Sequence, residues 1–238
     1  MAIKGILFDK DGTLLDFDAT WSPVLQQAAT VIAGRDPVLA RLLLTIGGFE
    51  VETGRTAPNS LLAAGNTVEI AEAWAEQLPG SDPAVLIEEL DRIFQEGGVI
   101  NAVPVTDLEP LFRRLKARGL SLGLATSDSQ AAAEATLGRF ALLQHMDFIA
   151  GYDSGHGYKP EPGMFHAFCK ACDILPGEVV MVGDNNHDLK MGQAAGAAAL
   201  IGVLTGSGTP EQLSLLTGDI LGSIAELEAW LEAREAAA

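Results

Sequence analysis

Apolar runs along the chain predict five buried β-strands. They occupy residues 3–9, 120–126, 147–151, 179–184 and 197–203. The first run does not alternate cleanly between apolar and polar positions, which is typical of a strand covered on both faces. These runs therefore indicate a sheet in the interior of the protein.

Segments with helical periodicity separate most of the strands. One of them, TDLEPLFRRLKARG, opens with Thr106 and Glu109 in the arrangement of a capping box and ends at Gly119. Two others follow the second and fourth strands, and SIAELEAWLEA closes the chain. Strands that alternate with helices predict parallel βαβ units, and so an α/β fold with a doubly wound, mostly parallel, Rossmann-like sheet.

Residues 17–98 have a different pattern, with helix starts but no convincing strand. The predicted starts are Ser22-Pro23, Asp36-Pro37, Asn66 with Glu69, and Asp82-Pro83. We therefore predict two domains. Residues 1–16 and 99–238 would form the α/β core, and residues 17–98 an all-helical domain inserted after the first strand.

Composition and charge narrow the range of partners. Hydrophobic residues make up 48% of the 238 residues, which is enough for a large core. The net charge of −17 makes nucleic acid and anionic membrane surfaces unfavourable partners. No apolar run is long enough to span a bilayer, and the N-terminus lacks a secretory pattern, so we expect a cytoplasmic protein.

The two cysteines, in CKAC at 169–172, have the spacing of a redox pair. A redox pair usually lies at a helix N-terminus, where the thiolate is stabilised. Here Cys169 and Cys172 come late in a predicted helix, so we interpret them as core thiols.

Polar side chains follow four of the predicted strands. They are Asp9 with Asp11, Thr126 with Ser127, Lys159 after the third strand, and Asp184. Ligands of open α/β sheets bind beyond the carboxyl ends of the strands, so we expect these side chains to meet there. Clustered carboxylates repel each other unless a cation lies among them, and their oxygens suit Mg²⁺. The lysine and the hydroxyl groups then suit phosphate oxygens.

Four segments in this order resemble the motifs of the haloacid dehalogenase superfamily, in its phosphatase branch. They are DKDGT (9–13), LATS (124–127), YKPEPGMF (158–165) and VGDNNHD (182–188). The resemblance covers nearly the whole predicted core. Each residue alone could have a simpler role, such as a helix cap or a surface lysine, but such roles do not require all four groups at strand ends.

The resemblance implies a role for each residue. Asp9 would attack phosphorus and become an aspartyl phosphate, while Asp11 would protonate the leaving oxygen and then activate water. Thr126, with help from Ser127, would hold phosphoryl oxygens, and Lys159 would neutralise charge on the phosphoryl group and on Asp9.

The same resemblance implies a metal site and a tight turn. Asp9, the main-chain carbonyl of Asp11 and Asp184 would bind Mg²⁺, and Asp188 would orient water or the lysine. Gly12 would free the backbone for the turn, and Thr13 would hydrogen-bond it. Lys10 is expected to point away from the site.

The insertion resembles the cap of the phosphoglycolate phosphatase and β-phosphoglucomutase branch, which closes over the site. Arg55, in a turn-rich cap segment, could bind a carboxylate or second phosphate of the substrate, or could be an exposed surface residue. His156 is interpreted as a loop residue, His187 as a residue of a helix's first turn, and TGSGTP (205–210) as a loop.

The sequence thus predicts a Mg²⁺-dependent phosphatase of a small phosphorylated metabolite, with 2-phosphoglycolate as one candidate. The alternatives are a phosphosugar mutase and a non-enzymatic phosphoprotein-binding module on the same fold. Asp11 disfavours the related dehalogenases, which normally lack an acid at this position. The oligomeric state is left open.

Overall fold

A computed structural model of the protein describes residues 2–236. In chain order, the helices and strands up to residue 101 are β1 (Gly5–Phe8), α1 (Phe17–Ile32), α2 (Pro37–Ile46), β2 (Phe49–Glu50), β3 (Arg55–Thr56), α3 (Leu61–Ala64), α4 (Thr67–Ala75) and α5 (Pro83–Asn101). Beyond residue 101 they are α6 (Leu108–Ala117), β4 (Ser121–Ala125), α7 (Gln130–Arg139), β5 (Phe148–Ala150), α8 (Gly163–Cys172), β6 (Val179–Gly183), α9 (Asn186–Ala195), β7 (Ala199–Val203), α10 (Pro210–Leu213), β8 (Ile220–Leu221) and α11 (Leu227–Ala236).

Six strands form one parallel sheet in the order β5-β4-β1-β6-β7-β8. The α/β, doubly wound fold predicted from the sequence is confirmed. All five predicted strands are present, and β8 is an additional short edge strand. In the register of the sheet, Ile6 lies between Leu122 of β4 and Val180 of β6. The strand that carries the first motif is therefore central.

Both faces of β1 are buried, which explains its uninterrupted apolar run. Ile6 and Phe8 belong to a core cluster with α6, α7 and α11 on one face of the sheet. Leu7 points to the other face, into a cluster with Met181 and with Phe165 of α8. Because each apolar side chain of β1 has a packing partner, the strand holds the residues that follow it in a fixed position.

Residues 17–101 are mainly helical and contain a separate apolar cluster. Trp74 and Leu90 are fully buried in it, and Trp21 contacts Phe94 edge to face with ring centroids 5.4 Å apart. The capping box of Asn66 and Glu69 is present as predicted. The helix α5 continues through position 98 to residue 101, and the proposed domain limits remain a prediction.

Three local predictions from the sequence are wrong. The first helix begins at Phe17 rather than at Ser22-Pro23, because the Asp16 side chain accepts a hydrogen bond from the Ala19 amide at 2.9 Å and so caps the helix earlier. Pro23 consequently lies inside the helix. The Ser22 hydroxyl donates to the carbonyl of Gly54, so it does not cap a helix.

The other two errors concern strands and caps. Residues 17–98 contain a short hairpin, β2 with β3, whose two-residue strands are too short to produce a recognisable apolar run. Thr106 and Glu109 form no capping box, since Asp107 is the N-cap residue of α6 and Glu109 instead lies 3.3 Å from the His145 ring. Within the described residues, no helix is both long and apolar enough to cross a membrane.

Candidate active site

The predicted site residues lie at the carboxyl edge of the central strands. Asp9 directly follows β1, Thr126 follows β4, and Asp184 follows β6. Since β4 and β6 flank β1, these side chains come from three adjacent strands. Lys159 reaches the same place from the segment after β5 and lines the same cavity. The structure therefore brings together the residues that the sequence predicts to meet.

Lys159 connects two of the carboxylates. Its Nζ lies 2.5 Å from Asp9 Oδ1 and 2.7 Å from Asp188 Oδ1, and its side chain is only 4% exposed. Burial alone would lower the pKa of Lys159, but the charges of Asp188 and Asp9 outweigh it and hold this pKa above its ordinary value. The ammonium group is thus kept charged and fixed beside Asp9.

Three buried carboxylates form a group that fits a divalent metal. Asp9, Asp184 and Asp188 offer ligand atoms that all lie within 4.8 Å of one another. Burial raises the pKa of Asp9 to about 6, against the opposing effect of Lys159, and burial together with the other carboxylates raises the pKa of Asp184 well above its ordinary value. Asp9 Oδ2 is buried without a hydrogen-bond partner among the described residues. A bound cation would relieve both the desolvation and the mutual repulsion.

The segment TGSGTP, which the sequence predicts to be a plain loop, holds Asp184 in place. The Ser207 amide donates to Asp184 Oδ2 at 2.8 Å, and Thr205 Oγ1 donates to the Gly12 carbonyl at 2.7 Å. A Cβ at Gly206 would lie 2.0 Å from Asp184 Oδ2, so only glycine permits this approach. The density of glycines in TGSGTP is the sequence signal for this role.

The turn after Asp9 has the shape that its glycine predicts. Gly12 has φ of +88°, and a Cβ there would come within 2.5 Å of Asp184 Cγ. The turn places the Asp11 side chain in the cavity lining next to Asp9. Burial raises the pKa of Asp11, the positive charge of Lys10 opposes this, and Asp9 adds to it. The Thr13 amide donates to the Lys10 carbonyl at 3.3 Å within this turn, while the Thr13 hydroxyl is buried without a partner among the described residues.

The prediction that Lys10 points away from the site is wrong. Its side chain is 1% exposed, and its Nζ lies 2.6 Å from Asp128 Oδ2 and 3.1 Å from Asp11 Oδ2. It also lies 5.5 Å from the centroid of the Trp21 ring. Although burial would lower the pKa of Lys10, the charges of Asp11 and Asp128 hold it above its ordinary value. Lys10 therefore fixes the position of Asp11.

The residues after β4 connect the sheet to the helical segment. Thr126 Oγ1 accepts a hydrogen bond from the Asp128 amide at 3.1 Å, and Ser127 Oγ donates to the Ala64 carbonyl at 3.4 Å. Asp128 Oδ1 also accepts a hydrogen bond from the amide of Ser129, the N-cap residue of α7, at 2.8 Å. Sequence reasoning missed Asp128, although it directly follows the predicted pair of hydroxyl residues.

One cavity is bordered by the site residues of the sheet, and its empty space, together with the solvent at its mouth, is about 630 Å³. The sheet side is polar and includes Asp9, Asp11, Thr126 and Lys159. The opposite side is formed by residues 17–94, chiefly by apolar side chains. His187 also lines the cavity, and burial followed by the charge of Lys159 lowers its pKa, so its ring is neutral at pH 7.

The structure does not bring Arg55 or His156 to this cavity. Arg55 lies on the hairpin with its side chain 76% exposed, and its Nε is 3.3 Å from Asp18 Oδ2. The ring of His156 lies 6.0 Å from that of Phe148, away from the lining residues. A role for Arg55 in substrate recognition stays a prediction.

Both cysteines lie near the C-terminal end of α8 and are unpaired. Burial raises the pKa of Cys169 to about 11, and it also raises the pKa of Cys172. Reactive thiols require the opposite shift. The interpretation of these residues as core thiols agrees with this environment.

Comparison with known proteins gives consistent matches over most of the chain. A family model described as a haloacid dehalogenase-like hydrolase matches residues 3–196. The phosphoglycolate phosphatases of Shigella boydii and Escherichia coli K12 are each 24% identical over 237 residues, covering 92% of this chain and 88% of theirs. CbbY from Rhodobacter sphaeroides, solved with phosphate, superposes with a TM-score of 0.69 at 22% identity, covering 94% of this chain and 96% of that one. A hydrolase from Pseudomonas syringae gives 0.69 at 18% identity, with coverages of 97% and 98%.

Proposed function

Because the chain belongs to the haloacid dehalogenase-like hydrolase family, we propose that it is a Mg²⁺-dependent enzyme that hydrolyses a small phosphate monoester through an aspartyl phosphate. Its phosphatase class follows from the family model together with the phosphoglycolate phosphatases among its relatives. The observation that carries the proposal is the position of Lys159 between Asp9 and Asp188, in a cavity that Asp11 and Thr126 also line.

In the first step, a carboxylate oxygen of Asp9 attacks phosphorus, and the bond from phosphorus to the leaving oxygen breaks. Lys159 contacts Oδ1 of Asp9 and keeps the carboxylate oriented in the cavity. Asp11 gives its proton to the leaving oxygen, so the alcohol departs neutral. Thr126 and Lys159 hold the phosphoryl oxygens.

In the second step, water attacks the phosphorus of the aspartyl phosphate. Asp11, now ionised, accepts a proton from that water, and inorganic phosphate leaves as the Asp9 carboxylate is restored. Asp9, the main-chain carbonyl of Asp11 and Asp184 would hold Mg²⁺, which supplies positive charge to the phosphoryl oxygens when bound. Asp188 keeps Lys159 in position through its 2.7 Å contact.

Phosphate release from a panel of metabolites and from p-nitrophenyl phosphate tests the proposal. We expect release that requires Mg²⁺ and is abolished in Asp9→Asn, while Asp173→Asn, at an exposed left-handed position where asparagine is tolerated, retains it. 2-Phosphoglycolate belongs in the panel because of the relatives' names. Full activity in excess EDTA, halide release from 2-haloacids, or isomerisation of a sugar phosphate without phosphate release would contradict the proposal.

A further inference from the structure

We propose that the preferred substrate is a phosphate monoester whose leaving alcohol is uncharged and apolar, such as an aromatic or branched alkyl alcohol. The inference rests on the proposed phosphatase function and names the substrate class of the same cavity. It departs from the small carboxylate-bearing ester, 2-phosphoglycolate, that the relatives' names suggest.

The wall that faces the catalytic carboxylates is built from large apolar side chains. They come from four helices and are Phe17, Trp21, Leu25, Leu62, Ile70 and Phe94. All six are at least nine-tenths buried and belong to the apolar cluster of residues 17–94. An apolar alcohol that enters here removes mainly its own surface from water, which favours binding by about 25 cal/mol per Å² of apolar surface buried.

No cation of the helical segment, residues 17–98, reaches this wall. The segment contains four arginines and neither lysine nor histidine. All four arginines are exposed and absent from the cavity lining, and three of them pair with surface acids: Arg41 with Glu52, Arg55 with Asp18, and Arg92 with Glu89. Lys159 is the only lysine among the described residues that line the cavity, and it already contacts Asp9 and Asp188.

Backbone donors on this side are also occupied where the wall comes nearest to the sheet. The amides of Ala63 and Ala64 donate to the Ser60 carbonyl, and the amide of Gly65 donates to the Leu61 carbonyl. At the N-terminus of α4, next to them, the carboxylate of Glu69 accepts from the Asn66 amide at 2.9 Å, and the Asn66 side chain accepts from the Glu69 amide at 3.1 Å. A second anion on the substrate would therefore lose its water without gaining a charged partner.

The apolar wall also contains a neutral side-chain donor that has no partner among the described residues. The indole N–H of Trp21 faces the Asp11 carboxyl group and opposes the rise that burial causes in the pKa of Asp11, but it is buried and makes no hydrogen bond within the described residues. It suits an uncharged acceptor, such as an ether or hydroxyl oxygen of the leaving alcohol. A single neutral donor does not offset the desolvation of a carboxylate.

The decisive comparison uses two esters that differ by one carboxylate group far from the ester bond. Benzyl phosphate and 4-carboxybenzyl phosphate have leaving alcohols of similar acidity, because the carboxylate is remote from the ester oxygen. With wild-type protein and Mg²⁺, we expect kcat/KM to be at least about 100-fold higher for benzyl phosphate than for 4-carboxybenzyl phosphate. We expect the same margin between benzyl phosphate and 2-phosphoglycolate. Equal values, or a preference for either carboxylated ester, would overturn the inference.

A binding experiment separates this inference from the proposed function. Benzylphosphonate and 4-carboxybenzylphosphonate are not hydrolysed, and their Kd values can be measured by calorimetry in the presence of Mg²⁺. If no ester releases phosphate, the proposed function is wrong, yet the phosphonates still decide the inference. Tighter binding of benzylphosphonate supports it, and equal or weaker binding overturns it.

A charge-insertion variant tests the wall directly. Ala63 is half-buried and lines the cavity, so Ala63→Arg supplies a cation on a flexible side chain. The matched control is Ala73→Arg, a half-buried helical position that is absent from the lining. We expect the kcat/KM ratio to shift at least 10-fold toward 4-carboxybenzyl phosphate in Ala63→Arg only. The same ratio in both variants and the wild type would contradict the assignment of the wall.

Discussion

Replacing Lys10 with methionine should destabilise the protein far more than its single charge suggests. The substitution keeps a long apolar side chain but removes an ammonium group that lies 2.6 Å from Asp128 and 3.1 Å from Asp11. The carboxylates of Asp11 and Asp128 then lose their positively charged partner while they are largely buried. Removing one partner of a buried ion pair typically costs about 3–5 kcal/mol. In a chain of this length each 1 kcal/mol shifts Tm by roughly 2–4 °C, so Tm should fall by roughly 6–20 °C.

Thermal unfolding followed by circular dichroism at pH 7 in EDTA measures this effect without a contribution from bound metal. Lys116→Met is a matched control, because Lys116 Nζ lies at the same 2.6 Å distance from a carboxylate, that of Asp147. Those two side chains are 32% and 36% exposed, so solvent screens the pair, and its loss should cost at most about 1 kcal/mol.

A second substitution shows whether uncompensated charge is the cause. Asp128→Asn removes one negative charge while keeping an oxygen for the Ser129 amide, which donates to Asp128 Oδ1 at 2.8 Å. In the Lys10→Met background it should recover at least half of the lost Tm. Equal losses in Lys10→Met and Lys116→Met, or no recovery in the double variant, would refute the reasoning from burial.

Three further outcomes can be measured. With p-nitrophenyl phosphate, Asp11→Asn should give a burst of p-nitrophenol followed by slow turnover, because the loss of general acid–base catalysis slows the reaction by about 10²–10⁴-fold. Asp9→Asn should give no burst, and rapid-quench measurements distinguish the two variants. Arg55→Ala should change KM less than about 2-fold for benzyl phosphate and 2-phosphoglycolate alike, because Arg55 lies outside the cavity lining; a selective rise for the anionic ester in steady-state assays would contradict this. Iodoacetamide at pH 8 should alkylate Cys169 roughly 100-fold more slowly than free cysteine, followed by mass spectrometry, with urea-unfolded protein as control.

The catalytic edge of the sheet could be predicted because its information is local. Each of Asp9, Thr126 and Asp184 directly follows a buried apolar strand, and parallel strands bring their carboxyl ends to one edge. Hydrophobic runs identify such strands without knowledge of their partners. Strand order was not needed for this step, since the motifs only had to share an edge.

The role of Lys10 could not be predicted because it depends on distant residues. Its main partner, Asp128, is 118 positions away in the sequence. In an extended strand Lys10 would point opposite to its neighbours, but the chain turns tightly here, with Gly12 at φ +88°. The turn lets Lys10 contact the carboxylates of both Asp11 and Asp128, and no local sequence pattern predicts these contacts. The hairpin β2–β3 was not predicted for another reason, because two-residue strands are too short to show a periodic pattern.

The apolar wall was also hidden in the sequence by helical periodicity. Each of Trp21, Ile70 and Phe94 belongs to the apolar pattern of its own helix, which predicts ordinary helix packing. All three do pack in the cluster of residues 17–94. Their second role, as one wall of the cavity, depends on how α1, α4 and α5 face the sheet. A tertiary arrangement of this kind has no signature in a single helix.

The charged residues that line the cavity all lie on its sheet side. Among the described residues there, the buried lysines Lys10 and Lys159 face a larger set of carboxylates, those of Asp9, Asp11, Asp128, Asp184 and Asp188, so negative charge is in formal excess. A phosphate dianion would be repelled from such a surface unless a divalent cation were bound. Even with that cation the sheet side has no surplus positive charge for a second anion, and the opposite wall, within residues 17–94, has none either. The carboxylate arrangement that fits a metal at Asp9 and Asp184 therefore also favours a substrate with its only charge on the phosphate.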